Sequence, residues 1–412
     1  MRNKIVVAAT LVILVASGCE DIGTSSGQQR VPPRPLTSQE QAIVTADNSF
    51  GLKLLTVVNK DETGKNVFIS PVSISMALGM TLNGAVGATR DSMEQTLECA
   101  GLSQTDINTS YESLTALLTG LDPRVQFQIA NSIWYRPALI VEEEFKSVNA
   151  RYFRAEVNQI DFADPSASGT INSWVDRSTN GRIKEIVPNP IPAEIVMYLI
   201  NAIYFKGTWT YRFDASLTRD DTFELPGGST TACRMMYQKG VFQYSENDQL
   251  QAIDLPYGDA GFSMTIVLPK SGIDIDRFLD DVSGQRWSEW TSALTKTEGE
   301  LYLPKFTLEY EKKLNDVLKA MGMAIAFSRE DADFTGIDKR GGLFISEVMH
   351  KTFVQVDEEG TEAAAATSVG VGLTSIGGGF VMRVDRPFVF AIREHHSGTI
   401  LFIGKITNPG TS

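Results

Sequence analysis

Only three histidines occur in the 412 residues, His350, His395 and His396, which narrows the acid–base chemistry the chain could perform. His395 and His396 stand in the polar run Glu394-His395-His396-Ser397-Gly398, where a solvated surface pair is expected. His350 precedes the strand-like run 352–356 and reads as a hydrogen-bonded core histidine. No S-x-x-K pair, H-E-x-x-H helix or G-x-x-x-x-G-K-[ST] loop occurs, and no G-x-S-x-G elbow stands between a strand and a helix. Carboxylates are too numerous in an acidic chain to single out a pair. Cys99 and Cys233 lie far apart without metal-ligand spacing and read as two buried thiols, although an oxidising compartment would permit a disulfide. These residues give no enzyme, no metal site and no cofactor.

One stretch, residues 356–388, is unusual for another reason. It begins acidic, runs through Ala363, Ala364, Ala365 and Ala366, becomes glycine-rich and ends on Arg386-Pro387-Phe388. Read with a period of two, Thr361, Ala363, Ala365, Thr367, Val369, Val371 and Leu373 share one side, apolar or β-branched. Glu362, Ala364, Ala366, Ser368, Gly370, Gly372 and Thr374 share the other, small or polar. That is the pattern of a half-buried strand. Gly360 before it and Gly377-Gly378-Gly379 after it mark mobile ends. The segment has the character of a loop and of a strand at once.

The elements around it can be read in outline. Thr37-Ser38-Gln39-Glu40 is a capping box opening a helix. Val67-Phe68-Ile69 is a short strand, and Ser70-Pro71 supplies an N-cap and first-turn proline for a second helix. Val125, Phe127 and Ile129 alternate as a strand, and residues 171–179 suggest a helix closed by Asn180-Gly181. Residues 194–205 form an apolar run expected to be a strand buried on both faces. Residues 262–268 and the runs on either side of Pro304 are further strands, residues 312–321 read as an amphipathic helix, and 388–392 with 399–403 form a hairpin. Strands and helices come in mixed order, so the fold class is α+β, and no boundary is visible beyond residue 40.

A formal net charge of −13 argues against a nucleic-acid partner. Arg2 and Lys4 precede the uncharged run 5–16, which is the length of a signal-peptide core and too short to span a bilayer. Ala16-Ser17-Gly18-Cys19 resembles the lipobox of bacterial lipoproteins, in which the cysteine is lipidated and tethers the chain to a membrane. The other reading is an ordinary secretory signal that leaves a soluble protein. Residues 20–35, rich in Gly, Ser, Gln and Pro, read as a tether. The expected organisation is a signal peptide over 1–18, a tether over 19–36 and one domain over 37–412, exported either as a cell-envelope lipoprotein or as an extracellular protein.

Several motifs, in order, resemble the serpin family. They are Asn66-Val67-Phe68-Ile69-Ser70-Pro71 with Ser73, Gly84-Ala85 with Gly87-Ala88-Thr89, and Ile171-Asn172 with Thr179 to Ile183. Asn201-Ala202-Ile203-Tyr204-Phe205-Lys206-Gly207 with Trp209, His350-Lys351, the hinge Glu358 to Thr367, and Val384-Asp385-Arg386-Pro387-Phe388 complete the set. The resemblance implies a serpin fold of three β-sheets with surrounding helices and an exposed reactive-centre loop. It implies a monomeric suicide inhibitor of serine, or sometimes cysteine, proteases that forms a covalent acyl-enzyme, after which the cleaved loop inserts into the main sheet. Glu358, Gly360, Thr361, Glu362, Ala363, Ala364, Ala365 and Ala366 are the expected hinge. Ser70, Ser73, Asn201, Trp209 and His350 are the expected shutter and breach.

The family's spacing from Glu358 places the cleaved bond between Thr374 and Ser375, with Leu373 and Ile376 as the neighbours that could displace it. No Lys or Arg occurs from Glu359 to Met382, which argues against a trypsin-like target and for an elastase- or subtilisin-like one. Thr361 to Thr374 would span roughly 46 Å as a strand. The uninterrupted alanine run favours inhibition over a non-inhibitory serpin-fold binding protein.

Overall fold

The structure, a computed structural model, describes residues 33–362 and 379–410. Cys19, the signal segment, Ala363 to Ala366, Leu373, Thr374, Ser375 and Ile376 lie outside the described residues.

Helix α1 (Ser38–Asp61) begins at the expected capping box. Glu40 N–H donates to Thr37 Oγ1 at 3.2 Å, and Thr37 N–H donates to Glu40 Oε2 at 2.7 Å. Helix α2 (Pro71–Leu82) starts at its Ser70 cap and is buried along nearly its whole length. The remaining helices are α3 (Gly87–Thr96), α4 (Gln104–Gly120), α5 (Glu143–Tyr152), α6 (Ala167–Ser178), α7 (Ile275–Asp280), α8 (Gly284–Ser292) and the single turn α9 (Asn315–Leu318).

The described strands join into two hydrogen-bonded ladders. The six-stranded one runs β10 (Phe306–Lys313), β11 (Met349–Val356), β12 (Gly360–Thr361), β4 (Met197–Thr208), β2 (Val125–Tyr135) and β3 (Glu156–Gln159). The nine-stranded one runs β1 (Val67–Ile69), β15 (Ile400–Ile406), β14 (Phe388–Glu394), β8 (Phe262–Pro269), β7 (Leu250–Tyr257), β6 (Thr230–Glu246), β9 (Thr295–Pro304) and β13 (Phe380–Arg383), with β5 (Arg219–Glu224) beside β6. Where three sheets are expected, two share one ladder. The 17-residue β6 is long enough to pair with β5 at its start and β7 at its end, while pairing with β9 from Met235 to Tyr244.

Three local expectations change. Residues 312–321 do not form one helix: Lys312 and Lys313 finish β10, paired with His350 and Met349, so the ladder overrides helical periodicity. After α9 the chain narrows through an irregular turn at Gly322, whose φ of +116° no continuing helix accepts. Strand β4 is covered by α2 on one face and α6 on the other, yet its burial is uneven. Ile200 and Ala202 pack under α6, whereas Leu199 and Ile203 stay half-buried because they line a cavity next to α2. Among the described residues no helix is long and apolar enough to cross a membrane.

Candidate functional site: an open seam in the six-stranded sheet

The site lies between β4 and β11. Strand β12 wedges between them at one end only: Gly360 and Thr361 face Thr208 and Gly207 of β4, and Thr361 faces Val356 of β11. One further rung follows, from Glu362 N–H to Gln355 O at 3.1 Å. Beyond it, among the described residues, no strand pairs with the inner edge of β4 from Met197 to Lys206. A cavity of about 140 Å3 lies there, lined by Ile74 and Leu78 of α2, by Leu199 and Ile203 of β4, and by Ile345 and His350 on the other flank. An unpaired edge on a covered sheet is a site for strand addition.

The N-terminus of α2 holds both banks of this seam. Toward β11, the Ser70 N–H donates to His350 Nε2 at 3.1 Å, while Ser70 Oγ donates to Leu401 O of β15, in the other ladder, at 2.7 Å. Toward β4, Ser73 Oγ donates to Asn201 Oδ1 at 2.5 Å. Asn201 Nδ2 donates to Asn131 Oδ1, and Asn131 Nδ2 to Phe153 O, both at 2.7 Å. The four residues expected at the shutter, Ser70, Ser73, Asn201 and His350, are thus brought together around one helix end. Asn131 of β2 extends the relay; its side chain sits among apolar neighbours in sequence, and nothing local singles it out.

Burial lowers the His350 pKa to about 3, so the ring is neutral and free to accept at Nε2. The His350 bank is tied to the helix by one neutral hydrogen bond, worth about 1 kcal/mol net, and the Asn201 bank by the Ser73 bond with a longer one from Asn201 Nδ2 to Met76 Sδ at 3.8 Å. Replacing His350 by alanine strands the buried Ser70 N–H. The expected loss is about 1–3 kcal/mol in urea unfolding, with earlier aggregation on heating. Unchanged stability and heat resistance would remove His350 from the seam's function.

The closed end is built from aromatic rings and ion pairs. Trp209 donates its backbone N–H to Glu359 O and its Nε1–H to Asp357 O, both at 2.9 Å, so one residue clamps the turn 357–360 twice. Its ring stacks on Tyr257, with centroids 4.4 Å apart, and the Tyr257 hydroxyl meets Thr361 Oγ1 at 2.6 Å. Gly360 has a φ of +151°, and a Cβ on it would stand 2.1 Å from Gly207 O, so only glycine lets the two strands approach. Burial opposes ionisation of Glu358, but Lys305 at 2.8 Å and the Thr218 hydroxyl at 2.7 Å outweigh it and hold the carboxyl below its ordinary value. Arg212 pairs with Glu359 at 2.7 Å. Nothing local in the sequence marks Thr218, Lys305, Arg212 and Tyr257, which stand between 53 (358 − 305) and 147 (359 − 212) residues from the residues they meet.

Two other expectations concern residues elsewhere. Cys99 and Cys233 are both free and buried. His395 is not simply solvated: its Nε2 stands 3.2 Å from Asp254 Oδ2, a carboxyl that also accepts from Ser263 and Arg393.

Comparison with known proteins agrees with this architecture. A family model described as "Serpin (serine protease inhibitor)" matches residues 45–409. Human neuroserpin is 35% identical, covering 91% of this chain and 93% of its own, and the leukocyte elastase inhibitor of Xenopus laevis is 33% identical, covering 89% and 99%. Among solved structures, the native state of the thermophilic serpin tengpin superposes with a TM-score of 0.82 at 31% identity, covering 92% of this chain and 96% of its own. Human thyroxine-binding globulin complexed with thyroxine also reaches 0.82, at 28% identity, covering 90% and 100%. With its unpaired sheet edge, its clamped turn at 357–360 and these matches over most of its length, the chain belongs to the serpin family.

Proposed function

We propose that the protein is a suicide-type inhibitor of serine proteases with a small or apolar specificity pocket, elastase- or subtilisin-like. In this reading the protease serine attacks the carbonyl carbon of Thr374. The bond to Ser375 breaks, its nitrogen leaves as an amine after taking a proton, and an ester joins Thr374 to the protease. The freed strand then adds to β4 and β11, carrying the protease away before water can hydrolyse the ester. The observation that carries this reading is the seating of Gly360 and Thr361 between two strands whose seam continues unpaired among the described residues. The alanine run Ala363 to Ala366 supports it, because small side chains enter a sheet interior without a desolvation cost. The similarity to a leukocyte elastase inhibitor agrees with the proposed target class.

The remaining parts of the proposal follow from sequence. The hinge is Glu358, Gly360, Thr361, Glu362 and the four alanines, with Trp209 at the breach. Residues 1–18 export the chain, 19–36 tether it through a lipidated Cys19, and 37–412 act as a monomer without cofactor or nucleic acid. A second reading, a non-inhibitory binding protein, is favoured by the likeness to human thyroxine-binding globulin.

The two are separated by mixing the protein with pancreatic elastase, subtilisin and trypsin and running a denaturing gel. Trapping predicts a stable band of summed mass with one of the first two and none with trypsin. Clean loop cleavage without that band supports the second reading. Thr374→Arg is expected to move the band to trypsin, by at least about tenfold in inhibition rate, because trypsin-like pockets carry a carboxylate. An unchanged profile would shift the cleaved bond away from Thr374.

A further inference from the structure

Glu362 is the point where the described chain leaves the seam, and its backbone is unusual. Its φ is +57°, the left-handed region that non-glycine residues rarely occupy. It is also a carboxylate with only 5% of its surface exposed. Both features are unfavourable in isolation, so something nearby must hold this residue in place.

The candidate is Arg182, just past the end of α6 and outside every residue assigned to the mechanism so far. The turn Asn180-Gly181, both at positive φ, aims it across the sheet. Its guanidinium lies 4.9 Å over the Phe353 ring of β11, and its Nε is 3.2 Å from Glu362 Oε2. Tyr204 of β4 stands near the same carboxyl and lowers its pKa. The cluster therefore spans the mouth of the seam from β11 to β4, on the face opposite Thr361 and Tyr257. Burial raises the Glu362 pKa, while Arg182 and Tyr204 oppose that rise and favour the charged form. The Arg182 side chain itself is 40% exposed, so removing it opens no hole in the core.

We propose that Arg182 is a positioning residue for strand addition: with Phe353 and Tyr204 it holds Glu362 against β11, so insertion starts from rungs already made. The proposal rests on the inhibitor reading for its consequence, and on geometry for its cause. Ordering the first rungs is the slow part of adding a strand, because entropy is lost before later contacts compensate. Without the ion pair, the hinge opens more often and insertion starts later. The ester is then hydrolysed more often, returning the protease hydroxyl and leaving a carboxyl on Thr374.

The test has two parts. Amide hydrogen exchange on the uncleaved chain reads the hinge without any protease. In Arg182→Ala the Glu362 amide should exchange at least about tenfold faster, as loss of the ion pair to a buried carboxylate predicts, with amides of α1 unchanged. Arg182→Lys should recover part of that protection. Unchanged exchange at Glu362 overturns the proposal. Next, the loop is nicked with a non-target protease and the gain of heat resistance is timed. Arg182→Ala should acquire it at least about threefold more slowly than wild type, with the same rate of loop cleavage. An equal or faster gain also overturns the proposal. Wild-type protein that gains heat resistance but forms no stable protease band would refute the inhibitor reading while leaving the role of Arg182 standing. Nicked wild type that never gains heat resistance would refute both.

Discussion

Ala363→Arg is expected to convert trapping into turnover. The variant should still be cut by its target, but the stable protease band should fall by at least about a hundredfold relative to free cleaved inhibitor. Thr361 fixes the direction: its hydroxyl meets Tyr257 on the core side of the sheet, and it is only 2% exposed. By the alternation of the sequence, Ala363 follows on the same side two residues later. The seam beneath is floored by Ile74 and Leu78. A guanidinium entering there must be desolvated without a partner, a cost of several kcal/mol, and each 1.4 kcal/mol is tenfold in the rate of insertion. Hydrolysis of the ester is untouched and so wins. Ala363→Val, apolar on the same side, should keep most of the band. A normal band from the arginine variant would place Ala363 off the core face.

Asp47→Asn is expected to stabilise the protein at neutral pH by up to about 4 kcal/mol. Asp47 lies on α1 where α2 and α4 meet it, and Tyr111 Oη donates to its Oδ1 at 2.8 Å. Burial raises its pKa from 3.8 to about 7, against the smaller opposing effects of Tyr111 and Ser75. The folded state therefore keeps a proton that the unfolded chain releases above pH 3.8. Stability falls by about 1.36 kcal/mol per pH unit through that window and levels off above pH 7. An asparagine never ionises and avoids the loss. Urea unfolding should show the two proteins converging toward pH 4 and separating toward pH 8. His350 acts in the opposite sense: its pKa is depressed from 6.5 to about 3, so its contribution is full above pH 6.5 and is lost as pH falls toward 3. If Asp47→Asn is no more stable than wild type at pH 8, Asp47 is ionised and paired in the fold.

Local signals carried the start of α1 and α2, because a cap and its helix are a few residues apart. Thr37 with Glu40, and Ser70 with Pro71, announce their own geometry. The same holds for the hairpin of β14 and β15, whose apolar runs flank a polar turn. What could not be read was set by distant partners. Lys312 and Lys313 look helical until the ladder to His350 and Met349 claims them. His395 is exposed as its polar turn suggests, but its contact with Asp254 of β7 has no local signal. The family motifs named Ser70, Ser73, Asn201 and His350, but that two of them hold one bank and two the other depends on how α2 crosses the sheet. Arg182 lay inside a quoted motif, yet its meeting with Glu362 joins residues 180 positions apart in sequence.

Strand β13 has a consequence of its own. It pairs in parallel with β9 from Phe380 to Arg383, so the chain after residues 363–378 is moored in the nine-stranded ladder while the chain before them enters the six-stranded one. A cut between the moorings leaves the C-terminal piece holding β13, β14 and β15. Strand β14 lies between β8 and β15, with Phe388 and Phe390 wholly buried. That piece cannot depart without dissolving the core. In the inhibitor reading, a molecule that is cut and released instead of trapped would be two chains under denaturing conditions and one particle under native ones, heavier only by the water that hydrolysis adds.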